Sequence, residues 1–328
     1  MSAPFQTRAD VPLPALVAER PHGAACGCPL HVRRRLGGAF IGGGALAALG
    51  LGAQPAAAQG ADPDMAAECK RSGLAKAVPA EQLEQAAGQQ YRSMLQQASS
   101  QRALGPQEHP QVQRLRYIAD RIVPLTYACN GRARDWRWEV NLIGSQDLNA
   151  FCMPGGKIAF YYGILERLQL TDHEVAMIMG HEVAHALLEH ARERLGKTAL
   201  TRGAIEIGAA LFGISGAGRM LADLGGQLLT LRFSRDDESE ADALGLVLSA
   251  KAGYDPRAGV TLWQKMMTAN KGAPPQWLST HPSGDTRIAD IEARLPRVQP
   301  MYERAPRPPR SFGPPDKRNG GNGKAPAR

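Results

Sequence analysis

Apolar residues recur every three to four positions from Glu81 to Ser99 and again from Pro110 to Thr126, the spacing that gives a helix one buried face. Between Trp136 and Ile143 the sequence WRWEVNLI alternates instead, as a half-buried strand does. KIAFYYG, entered through Pro154-Gly155-Gly156, reads as a second strand after a turn. Helical spacing returns at Thr171, where Thr171 and Glu174 make a capping box, and Gly196 marks an end. The stretch between them reads as one helix of about seven turns. After a Gly-rich apolar segment from Gly203 to Leu231 come a helix from Asp236 to about Ala252, another beyond Pro256, and a last one from Asp285 to Leu295. A small sheet can cover its apolar face only with helices, so the pattern predicts a mostly helical α+β domain over residues 59–295.

Composition changes this picture mainly at the ends. The chain carries 39 Lys and Arg against 31 Asp and Glu, a formal net charge of +8. Residues 59–295 hold 26 basic and 27 acidic side chains, so the excess lies in the terminal segments. A nucleic-acid-binding fold would carry that charge on its structured part, with the matching motifs, and none is present. Arg33-Arg34-Arg35, the uncharged run Leu36 to Ala53 and then Ala56-Ala57-Ala58 have the order of an export signal of the twin-arginine kind, cleaved after Ala58. An uncleaved anchor in the inner membrane is the alternative, since 18 uncharged residues just suffice to span. From Pro296 on, eight prolines in 33 residues and few large apolar groups predict a disordered tail over 296–328. Its basic residues suit a peripheral contact with anionic lipid or lipopolysaccharide, although a merely solvated tail is the plainer reading.

An exported chain can form disulfides. Cys26 and Cys28 would leave with the signal, and of Cys69, Cys129 and Cys152 the first two are expected to pair, against the alternative of three unpaired thiols.

The chemistry concentrates in two segments. In HEVAH, His181 and His185 stand at i and i+4, about 40° apart on a helix, so both imidazoles project from one face. That places two nitrogens for one zinc ion, and the adjacent Glu182 is suited to hold a water and take its proton. A catalytic site needs a third protein ligand. Leu188 and Ala191 stand where an extended motif would have Gly and His, and His190 comes one residue too early. On a continuous helix it lies about 140° round from His185 and points away, which makes it a polar or supporting residue.

SRDDESEADALG, Ser234 to Gly245, is the better source, with five carboxylates in seven positions. Glu238 and Asp242 share a face, whereas Glu240 lies about 200° from Glu238. Glu238 is therefore the expected third ligand. Asp242 is expected to accept the outer ring N–H of a ligand histidine. Gly245 would let this helix approach the catalytic one closely.

With NAFCMPGGKIAFYYGIL, HEVAHALLEH, SRDDESEADALG and STHPSGDTRI in that order, the chain from about Arg114 to Leu295 resembles the zinc metallopeptidases of family M forty-eight, which include the CAAX prenyl protease, the HtpX heat-shock protease and the Oma-type proteases. The resemblance implies a zincin-like fold, zinc on His181, His185 and Glu238, a general base at Glu182 and a supporting role for Asp242. It also implies an edge strand beside the site that binds extended substrate through Asn149, Ala150, Phe151, Gly155 and Gly156. His281 and Arg287 match the family's His-Pro and following Arg, near enough to stabilise an oxyanion. Cys152 falls on that strand, where a buried inert thiol is preferred to a latent zinc ligand. Glu206, Arg219 and Asp223 interrupt the Gly-rich segment, so it reads as a helical hairpin beside the cleft, either a lid or fixed core helices.

The expected function is a periplasmic zinc endopeptidase acting on misfolded or misassembled envelope proteins. The alternative is a chaperone or outer-membrane assembly factor whose metal site is latent or structural.

Overall fold

Three strands form one sheet in the order β1-β3-β2, with β1 at Glu139–Ile143, β2 at Ala150–Met153 and β3 at Lys157–Tyr161. The computed structural model in which they lie describes residues 63–201, 228, 230–269, 276–281 and 286–316. The expected export signal in 1–58, nearly all of the Gly-rich segment and the last residues of the tail, 317–328, lie outside the described residues. β1 runs parallel to β3, with Glu139 opposite Lys157, and β2 runs antiparallel to it, with Ala150 opposite Phe160. The β2–β3 turn places Gly155 and Gly156 at φ of 84° and 74°, where glycine has no Cβ penalty.

Both faces of the sheet are covered, which explains why β3 is buried along its whole length instead of alternating. Ile143, Met153, Ala159 and Tyr161 pack against Tyr91 and Met94 of helix α2 (Ala80–Ser100). Val140, Leu142, Ala150, Ile158 and Phe160 face the main core, built on α3 (Pro110–Thr126) and α5 (Asp172–Leu187). α4 (Tyr162–Arg167) links the sheet to α5, and the short α1 (Pro63–Glu68) precedes α2. The rest comprises α6 (His190–Thr201), α7 (Arg235–Lys251), α8 (Ala258–Ala269), α9 (Gln276–Thr280) and α10 (Thr286–Arg304). The fold is thus α+β and mostly helical. No helix of the described residues is long and apolar enough to cross a membrane. Cys69 and Cys129 are joined, and Cys152 is free and buried.

α7 lies along α5 at backbone contact. A Cβ on Gly245 would sit 2.8 Å from the His181 nitrogen, and one on Gly180 would sit 2.7 Å from the Gly245 carbonyl oxygen. Ser249 Oγ donates to the Ala176 carbonyl one turn on, at 2.8 Å. Both helices start in capping boxes, Thr171 with Glu174 and Ser234 with Asp237, which fix where each first turn begins.

Two expectations are corrected. The stretch from Thr171 to Gly196 is not one helix: α5 ends at Leu187, Glu189 takes a left-handed φ of 61°, and α6 restarts at His190. The break is held from outside, by Asn130 Nδ2 donating to the Leu187 carbonyl at 3.0 Å. Nor does disorder begin at Pro296. α10 runs through Pro296 and Pro300 to Arg304. Each proline costs about 3 kcal/mol in an isolated helix, but this segment buries Val298 and Met301, worth about 1.5–3 kcal/mol apiece. The chain beyond folds back on the start of α5. Asp172 accepts from the Phe312 N–H at 2.8 Å, the Gly313 N–H at 3.2 Å and Ser311 Oγ at 3.2 Å. The same carboxylate receives Arg114 Nε at 2.6 Å. Burial alone would raise the Asp172 carboxyl, but the Phe312 N–H and the Arg114 guanidinium hold it below its ordinary value.

Gly245→Ala is expected to push α7 off α5 and to cost about 1–3 kcal/mol, read as a lower urea midpoint. A midpoint equal to wild type would show that the helices have room to spare. Asp172→Asn is expected to lose about 1.5–3 kcal/mol at pH 7. A carboxyl whose folded pKa is depressed contributes stability above its unfolded pKa of about 4 and loses it as pH falls. The gap between this variant and wild type should therefore narrow below about pH 4, and a gap constant from pH 7 to pH 3 would exclude the carboxylate as the clamp.

Candidate metal centre

α5 presents His181 and His185 one turn apart, and α7 presents Glu238 and Asp242 across from them; all four are buried. The two imidazoles converge with Nε2 atoms 3.0 Å apart. Glu238 closes the triangle, with one oxygen 3.6 Å from His181 Nε2 and the other 3.5 Å from His185 Nε2. Donors about 2.0–2.1 Å from a tetrahedral zinc ion stand about 3.3–3.4 Å apart, so these separations fit one ion. Their chemistry fits as well. Burial, helped by neighbouring His181, His190 and His281, pushes His185 well below its ordinary pKa and keeps it neutral. Burial opposes ionisation of Glu238, but His281, His181 and Arg287 outweigh it and hold the carboxylate low.

Asp242 stands where expected, its Oδ1 3.0 Å from His181 Nδ1. With that nitrogen donating, Nε2 is left free to bind. Burial would raise the Asp242 carboxyl, yet Arg287 and His181 hold it far down. Glu182 is also buried, and its Oε1 accepts from Trp277 Nε1 at 2.6 Å.

His281 is drawn further in than an oxyanion donor beside the site requires. Its Nδ1 lies 3.0 Å from Glu238 Oε1 and 3.3 Å from His181 Nε2, and its Nε2 lies 3.5 Å from Glu182 Oε1. His181, His185, Glu238 and His281 together offer four donor atoms within 4.8 Å of one another. Burial would lower the His281 pKa, but the Glu182 and Glu238 carboxylates raise it.

Arg287 serves the site from behind. Nε and Nη2 donate to the two oxygens of Asp242 at 2.7 and 2.6 Å, Nη1 donates to Glu238, and the guanidinium lies 4.0 Å over the Trp263 ring. Its donors are spent on the carboxylates and it does not border the cleft, so the placement does not support the oxyanion role.

The cleft itself is bordered by Asn149, Ala150, Phe151, Cys152, Glu182, His185 and Phe233, among others. β2 is one of the sheet's two edge strands, and it lies beside the site as expected. Gly155 and Gly156 are not in this wall. They form the turn beyond β2, where Gly155 faces Glu84 and Gly156 lies against the Trp138 ring, so their role is to make the turn. Cys152 is buried, and burial raises its thiol well above the ordinary value, which keeps it protonated.

Two contributors escaped the sequence reading, and a third is oriented differently from its expectation. Trp277 holds Glu182 and stacks on His281, with ring centroids 5.0 Å apart. Its spacing of four from His281 was the available signal. Phe233, just before the acidic segment, stacks on His185 at 4.0 Å. His190 does have the supporting place expected of it, but it does not point away: it turns back because the helix breaks at Glu189, and its Nδ1 lies 2.9 Å from His185 Nδ1.

Two helix-borne imidazoles, a carboxylate from a second helix and a free carboxylate beside them are the constellation of a metallopeptidase. Comparison with known sequences agrees: Peptidase family M48 matches residues 111–295, and the chain belongs to that family. It is 36% identical over 201 residues to the mitochondrial metalloendopeptidase OMA1 of Schizosaccharomyces pombe, a match covering 60% of this chain and 57% of that protein. To the OMA1 of Saccharomyces cerevisiae it is 29% identical over 227 residues, 66% of this chain and 64% of that one. To the beta-barrel assembly-enhancing protease of Escherichia coli it is 28% identical over 170 residues, 49% of this chain and 35% of that protein. The chain thus spans less than two thirds of each relative's length.

Proposed function

We propose that this chain is an exported zinc endopeptidase that cuts misfolded or misassembled proteins of the cell envelope. The observation that carries the hydrolytic reading is the Glu182 carboxylate, which stands outside the donor set of His181, His185 and Glu238 but beside it, a feature for which a purely structural metal has no use. His181, His185 and Glu238 would hold a zinc ion, which would supply a Lewis acid for the scissile carbonyl and for water. Glu182 takes a proton from the attacking water and passes it to the leaving nitrogen. Trp277 Nε1 fixes one Glu182 oxygen and leaves the other for that transfer. Asp242 and Arg287 keep His181 and Glu238 in place.

Extended substrate is proposed to add to the outer edge of β2 through its backbone. Tyr161 donates to the Asn149 carbonyl at 3.0 Å, so alternation turns the backbone of Ala150 and Cys152 outward. Main-chain pairing of that kind tolerates many side chains, as clearance of unfolded chains requires. The substrate class and periplasmic location rest on the export-signal pattern, on a disulfide that suits an oxidising compartment, and on likeness to the assembly-enhancing protease. The OMA1 relatives, mitochondrial by name, support the chemistry without that address.

A second reading, a chaperone or assembly factor with a latent site, is favoured by one observation: His281 stands among the donors and would fill the position a water needs.

Glu182→Gln is expected to lower casein cleavage by about 10²–10⁴-fold with metal content unchanged. Cleavage that survives the substitution would end the protease reading. His281→Ala separates the two states of the site: faster cleavage identifies a fourth donor that restrains the enzyme, and a lost kcat at constant KM identifies an oxyanion donor.

A further inference from the structure

The chain holds the two metal-facing histidines by different means. His181 is backed directly by the Asp242 carboxylate, itself locked by Arg287. His185 is backed by another imidazole: His190 Nδ1 lies 2.9 Å from His185 Nδ1, and His190 Nε2 lies 3.2 Å from Glu240 Oε2. His190 is 1% exposed, whereas the Glu240 side chain is 56% exposed. We propose that His190 and Glu240 form a positioning relay that selects the metal-competent tautomer of His185 and sets the affinity of the site for its ion.

The argument is one of proton placement, and it rests on the metallopeptidase reading. His185 turns Nε2 toward His181 and Glu238, so Nε2 must be the bare nitrogen if it is to hold a metal. A neutral imidazole then carries its proton on Nδ1. That N–H points at His190 Nδ1, which must accept, and the His190 proton therefore sits on Nε2, facing the Glu240 carboxylate. Every ring nitrogen of the pair is satisfied in this one arrangement. Reversed, His190 Nδ1 would donate to His185 and force the His185 proton onto Nε2, among the other donors, where it would exclude the ion. Glu240 can only accept when ionised, so it admits the first arrangement and disfavours the second. The geometry exists because α5 stops at Leu187. The left-handed residue Glu189 swings His190 back across the ring of His185, and α7 turns Glu240 toward it from the side opposite Glu238.

The test measures metal affinity, not only turnover. The full-length chain is stripped of metal and titrated with Zn²⁺ against a chromophoric chelator. The Co²⁺ form is examined in parallel by its visible absorption. His190→Leu removes the acceptor and is expected to weaken binding about 10–100-fold and to alter the Co²⁺ bands. His190→Asn restores a carbonyl near the position of Nδ1 and should recover most of that loss. Glu240→Ala should weaken binding about threefold or more in the wild type and have no further effect in the His190→Leu background, because the two act in series. Glu240 is exposed, so its variant keeps the fold and carries the test even where His190→Leu fails to fold. Zinc affinity of Glu240→Ala within twofold of wild type, His190→Asn no better than His190→Leu, or additive effects of the two substitutions would overturn the relay. A wild-type chain that takes up no stoichiometric zinc would overturn the metal site itself, a failure distinct from any of these.

Discussion

Two helices touching backbone to backbone are the constraint on which the rest depends. His181 and His185 need a carboxylate within about 3.5 Å of both nitrogens, and side chains as short as Glu and Asp reach that far only if α7 lies against α5. Gly180 and Gly245 remove the Cβ atoms that would hold the helices apart. The pair of capping boxes then fixes the rotation of each helix, so that Glu238 and Asp242 face the histidines. Two glycines that carry no reactive group therefore set the donor geometry.

That closeness concentrates charge in a place with little water. Two carboxylates of α7, the Glu182 carboxylate and the histidines share a volume closed by Trp277, Trp263 and Phe233. Burying ionised groups unpaired would cost several kcal/mol each. Arg287 meets most of that demand without a metal, spanning Asp242 and Glu238 with one planar fork, a geometry lysine does not offer. The arginine thereby holds Glu238, the proposed ligand, and Asp242 behind His181 in place, so less ordering would remain to oppose metal binding.

What was legible in the sequence divides along physical lines. His181, His185, Glu238 and Asp242 could be read because helical spacing converts residue numbers directly into faces, and no third element is needed to say which side chains meet. Helices over 80–100, 110–126 and 235–251 followed from the same period. The failures are positions where tertiary packing overrode local preference. Nothing in the sequence near Glu189 announces a left-handed residue, since the break is stabilised by Asn130 some sixty positions earlier. Prolines at 296 and 300 signal a helix end, but burial of Val298 and Met301 carries the helix through. Phe233 was missed because its stacking on His185 leaves no periodic trace, and Trp277 because its only trace is the spacing of four from His281. Gly155 and Gly156 were assigned to substrate by resemblance, whereas their positive φ angles show that the turn itself requires them.

The proposed addition of substrate to β2 asks one edge to be both open to an incoming chain and safe when idle. An edge with free backbone groups is a template for unwanted pairing as much as for substrate. β2 limits this with its own first neighbour: the Asn149 side chain accepts the Ala150 N–H at 3.0 Å, covering one of the two outward-facing residues. In the proposed mode, a segment already hydrogen-bonded within its own fold has no spare backbone groups with which to displace that contact and pair with Cys152 beside it. An unfolded one has them, and the four-residue length of β2 makes the gain from each added hydrogen bond matter. Under the proposed addition of substrate to β2, selection for disorder over sequence needs no recognition pocket, only a short edge whose first donor is already occupied.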